Sequence, residues 1–136
     1  MCHVLYMASD KERPLVSWDD AQRGFHVTTW DQGTLPHLTK PHLRYLGSDQ
    51  GCGCGFQHLP RSLMEDEEQR NGVRLNQQGL ARYLAECLAD EESIELFTCW
   101  NGDEAEPLKR RREIRLAELL EDDFEFEEKE VVIVRA

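Results

Sequence analysis

Apolar side chains divide the chain into short segments of strand character and one clear helical stripe. Residues 2–8 form a run rich in Val, Leu, Tyr and Met that ends at Ser9-Asp10. Residues 25–30 form a second, bounded by Gly24 and by Asp31-Gln32-Gly33. After Pro36 and Pro41, which break regular structure, residues 43–46 make a short third strand running into Gly47. Pro60 opens a short helix that Asn71-Gly72 is expected to end. Leu80, Tyr83, Leu84, Cys87 and Leu88 then recur at helical spacing, so residues 76–89 are predicted to form an amphipathic helix. Residues 93–100 read as a strand closed by Asn101-Gly102-Asp103. Residues 116–120 read as a one- or two-turn helix, and 131–134 as a β-branched strand buried on both faces.

This order predicts a single α/β (or α+β) domain spanning residues 1–136. A mixed sheet of four to five strands would carry two main helices packed on it. The passages from helix back to strand look like crossovers, so at least one parallel pair is expected.

Composition narrows the functional classes. Apolar residues make up 40% of the chain, which suits a globular fold rather than disorder. No apolar run approaches a membrane span, and the first residues lack the basic and apolar regions of a secretory signal, so a cytoplasmic protein is expected. Acidic and basic residues balance over 1–61, which leaves the whole net charge of −11 in the remainder. Such a surplus repels phosphate backbones and argues against nucleic-acid binding. The basic island Lys109-Arg110-Arg111-Arg112 reads as a solvated turn among acidic neighbours. The acidic C-terminal half is a candidate surface for a protein partner.

Candidate chemistry concentrates in Gly51-Cys52-Gly53-Cys54-Gly55-Phe56, followed closely by His58. Glycines relax the backbone so that two thiolates can converge on one ion, and His58 stands four residues after Cys54. A closed zinc site needs a fourth N or S donor. Cys99 completes the expected set Cys52, Cys54, His58 and Cys99, with Cys2, His3, His37 and His42 as further candidates. The favoured reading is a small non-enzymatic domain with a zinc site at this loop. Against it stands the plain alternative that the glycines mark a tight bend, small cysteines fill the space beneath it and Phe56 anchors it in the core. A phosphate cradle is disfavoured, because the loop lacks the Gly-Lys-Ser/Thr ending.

The alternative class is a thiol-dependent enzyme. Loop thiols could support redox chemistry, although a disulfide across one residue is strained. Removal of Met1 would leave Cys2 as an N-terminal nucleophile with its own amino group as base. A third class is an acidic protein-interaction module.

Met1-Cys2-x-x-Leu5-Tyr6-x-Ala8-Ser9-Asp10, Tyr45-Leu46-Gly47-Ser48 with the Gly-Cys-Gly-Cys-Gly-Phe loop, and Trp100-Asn101-Gly102-Asp103 together resemble a group of small uncharacterised bacterial proteins. The resemblance spans most of the chain. It implies a bacterial cytosolic origin and brings no activity, cofactor or catalytic residue with it.

Overall fold

Six strands and one α-helix build the domain in a computed structural model that describes residues 2–136. Met1, which enters both the N-terminal-nucleophile reading and the resemblance, lies outside the described residues. The strands are β1 (His3–Ser9), β2 (His26–Thr29), β3 (His42–Gly47), β4 (Ser93–Trp100), β5 (Arg110–Arg115) and β6 (Glu130–Arg135). They form one sheet in the order β2-β3-β1-β4-β6-β5, antiparallel throughout except for the parallel pair β5–β6. Helix α1 (Glu67–Leu88) lies between β3 and β4 in the chain.

Alternation along the strands separates two hydrophobic layers. Leu5 and Met7 of β1, Ile94 and Leu96 of β4, and Val132 and Val134 of β6 face Leu80, Leu84 and Cys87 of α1. Val4, Tyr6, Phe97, Cys99 and Val131 face the other way, under Leu35 and the partly buried Trp30, Leu38 and Leu108. One face is therefore roofed by the helix and the other by connecting segments.

Two expectations about the architecture are corrected. The sheet has six strands, not four to five, and a single α-helix packs on it in place of two main helices. The missed strand is β5, whose basic residues were assigned to a solvated turn. Its arginines instead reach inward to carboxylates of neighbouring strands. Arg110 and Arg112 pair with the fully buried Glu130 at 2.8 and 3.1 Å, and Arg111 pairs with Glu95 at 3.0 Å. Residues 116–120 form only a 3-10 turn, and those after Pro60 form only the three-residue turn Arg61–Leu63.

Helix α1 also begins earlier than its apolar stripe suggests. Asp66 caps it by accepting the Glu68 N–H at 2.9 Å, and Glu67 and Glu68 suit the positive end of the helix dipole. The helix runs straight through Asn71-Gly72, because Val73, Asn76 and Gln77 are all buried against the fold. Gln77 donates to the Leu119 carbonyl at 2.7 Å, and Asn76 donates to the Gly55 carbonyl at 3.0 Å. Polar residues therefore do the packing that a hydrophobic pattern cannot reveal. No helix among the described residues is long and apolar enough to cross a membrane.

Candidate metal centre

The cysteine loop lies across the start of β1. Gly51 adopts a φ of +82°, which turns the chain after β3 and favours glycine. Ser48 holds the turn together, its hydroxyl donating to the Cys52 carbonyl at 2.6 Å while its oxygen accepts the Gly55 N–H at 3.0 Å. Residues Gly53–Gly55 then form one 3-10 turn, and Phe56 anchors it in the core at 1% exposure. A Cβ on Gly53 would stand 3.1 Å from the His3 carbonyl oxygen, the Val4 carbonyl carbon and the Leu5 nitrogen. The loop thus lies directly on the β1 backbone, and a side chain at this position would force the two a few tenths of an ångström apart.

That close approach brings three sulfurs together. The Sγ atoms of Cys2, Cys52 and Cys54 all lie within 4.8 Å of one another. Cys2 is exposed, and Cys52 and Cys54 are half-buried. Two backbone amides point at the sulfurs: His3 N–H donates to Cys54 Sγ at 3.2 Å, and Cys54 N–H donates to Cys52 Sγ at 3.5 Å. Burial pushes the Cys52 thiol up to about 12, and bonds from the Cys54 and Cys2 side chains add to the shift while the Cys54 amide opposes it. Tyr45 borders the cluster. Burial and the three neighbouring cysteines raise its phenol to about 12, and its hydroxyl points to the Gly51 carbonyl at 3.4 Å.

The four residues expected to form the site do not stay together. The sulfurs of Cys52 and Cys54 lie together, and Cys2, one of the further candidates, joins them. Cys99 does not join. It pairs with Val4 across β1–β4 and is sealed at 0% exposure beside Tyr6, Phe97 and Val131, where burial raises its thiol to about 12. His58 stays outside the sulfur cluster too. Its Nε2–H donates to the Gly53 carbonyl at 2.8 Å, and its ring stacks on His3 at 3.9 Å.

His58 therefore supports the loop from behind. His3 is sandwiched between His58 and Trp100, the latter at 3.8 Å, beside a cleft of about 290 Å³ that Lys109, Phe126 and Glu128 also line. Burial, reinforced by His3, lowers His58 to about 4, and burial lowers His3 as well. Both shifts favour the neutral rings, which stack without repulsion. His37 and His42 are occupied elsewhere: the His37 ring contacts the Glu106 carbonyl, and His42 opens β3.

Comparison with known proteins returned no matching family model, no matching curated protein and no matching solved structure. Function is therefore read from the geometry of the site.

Proposed function

We propose that this protein is a metal-binding domain in which Cys2, Cys52 and Cys54 hold one thiophilic ion. The observation that carries this reading is the convergence of three sulfurs from two segments fifty residues apart in sequence, with backbone amides directed at two of them. With metal–sulfur bonds of about 2.3 Å, ligand sulfurs stand roughly 3.8–4.0 Å apart, so small rotations of these side chains would close the set on an ion. Amide donors temper the charge of coordinated thiolates, as outer partners do at other metal sites.

Without a cation, three thiolates at this spacing would repel, and burial already holds the Cys52 proton. Binding must therefore release protons, which makes affinity rise with pH by about tenfold per unit for each proton displaced. The reading is tested by adding Cd(II) to the reduced protein and counting thiols that react with a disulfide reagent. One equivalent should protect three of the five cysteines, with Cys87 and Cys99 slow to react in either form because both are buried. Unchanged reactivity of Cys2, Cys52 and Cys54 after Cd(II) addition would overturn the assignment.

A further inference from the structure

We infer that the ion this site selects is monovalent copper, Cu(I), bound by three sulfurs alone; the inference rests on the metal-binding reading above. The donor set decides the point. All three ligands are thiols, and among the described residues no histidine, aspartate or glutamate atom joins them. Structural zinc takes four protein ligands even where all are thiolates, so a set of three sulfurs without a fourth donor suits Cu(I), one of the soft ions that thiolates select.

The other nitrogen and sulfur candidates are engaged elsewhere. His3 lends its backbone N–H to Cys54, while its ring lies in the stack with Trp100 and His58. His58 donates its Nε2–H to the Gly53 carbonyl. Cys99 is buried in the hydrocarbon layer. The Tyr45 hydroxyl is turned to the Gly51 carbonyl at 3.4 Å. Cys2 is exposed and its two partners are half-buried, so the sulfurs can be reached from solvent. An ion can therefore enter and leave past Cys2 without unfolding the loop. Binding exchanges three S–H bonds for three Cu–S bonds, and the protons pass to water; no electron is transferred.

The experiment uses the full chain, reduced and kept without oxygen. Cu(I) is titrated in competition with a chromophoric Cu(I) chelator, and X-ray absorption on the loaded protein counts the ligands. A parallel sample is loaded with Zn(II) and then offered one equivalent of Cu(I). The expected result is one Cu(I) per chain with three sulfur neighbours, full displacement of zinc, and a loss of at least about a hundredfold in Cu(I) affinity for each of Cys2→Ser, Cys52→Ser and Cys54→Ser. The Cys2→Ser chain keeps the loop intact, so its weakened binding separates ligand loss from misfolding; a circular dichroism spectrum like that of the parent checks this. Retention of zinc against Cu(I), or a nitrogen or oxygen neighbour to copper, would overturn the copper assignment and leave the metal-binding reading standing. Failure of both ions to reach one equivalent, or affinities unchanged in all three variants, would overturn both.

Discussion

Gly53 shows how a single missing side chain positions the site. The strand beneath it is paired to β4 from His3 onward and to β3 from Leu5 onward, so its backbone has limited room to retreat from an added methyl group. Gly53→Ala is expected to lift the loop and destabilise the fold by about 1–3 kcal/mol, the usual range for overpacking. Metal affinity should fall with it, since Cys52 and Cys54 flank the displaced residue. Urea unfolding alongside a Cd(II) titration checks both outcomes, and a variant as stable as the parent would refute the account. At this scale the sequence was informative about the loop and about Phe56, because glycine and cysteine spacing is local. It placed Cys99 and His58 in the metal set, because their positions follow from which strand lies beside which and no local spacing shows that. Cys99 is two residues from Phe97 on the same face of β4, a parity that marks it as core once that face is known to be covered.

Among the elements, β5 is the strand that hydropathy alone cannot find. Its sequence, Arg-Arg-Arg-Glu-Ile-Arg, looks like surface, yet it lies in register with the β-branched run of β6. Glu130 explains why. Its carboxylate is fully buried and accepts from Arg110, from Arg112 and from the Glu127 N–H at 3.0 Å. Arg112 also lies 5.0 Å over the Phe124 ring and donates to the Glu125 carbonyl, which ties β5 to the segment leading into β6. Glu130→Ala should cost about 1–3 kcal/mol, because Arg112 and the Glu127 N–H lose a buried acceptor while the more exposed Arg110 can turn to water. Replacing Arg110, Arg112 and Glu130 together by methionine should recover most of that loss, because no unpaired charge remains. Denaturant midpoints of the single and triple variants decide the matter; an equally unstable triple variant would contradict it. Helix α1 carries the same lesson. Its second half was legible from the leucine stripe, while its first half is held by an aspartate cap and by buried amides that a hydrophobic period does not register.

Across the whole molecule, β1 is the common axis, with a different kind of anchor at each end. The sulfur cluster sits at its start, and an ionic knot sits about 23 Å away at its finish, given about 3.3 Å per residue. Glu91 is the centre of that knot. It accepts from the Ser9 hydroxyl at 2.5 Å, the Asp10 N–H at 2.8 Å, and Arg13 and Lys40 at 2.7 Å each. Burial opposes its ionisation, but the bonds from Lys40, Ser9, Asp10 and Arg13 outweigh burial and hold its pKa at about 2. A carboxylate depressed in the folded state contributes stability in full above its unfolded value, near 4.5, and loses it as pH falls toward 2. The contribution is on the order of 3 kcal/mol. Melting temperatures recorded between pH 6 and pH 2 should therefore drop along an acid limb that Glu91→Gln flattens; an unchanged limb in the variant would remove Glu91 as its source. A mixed sheet is expected from the helix-to-strand passages, but its parallel pair uses β5, which the hydrophobic pattern does not show, and this knot joins residues 9 to 91 and could not be read from any local pattern. The separation in sequence between Cys2 and its two partners has a mechanical meaning as well. An ion gripped by all three would act as a rivet closing a circuit of about fifty residues that includes β2 and β3, shrinking the freedom of the unfolded chain. Loss of the ion would then be felt as a slackening of the sheet edge built from β2 and β3, whose end runs into the sulfur-bearing loop.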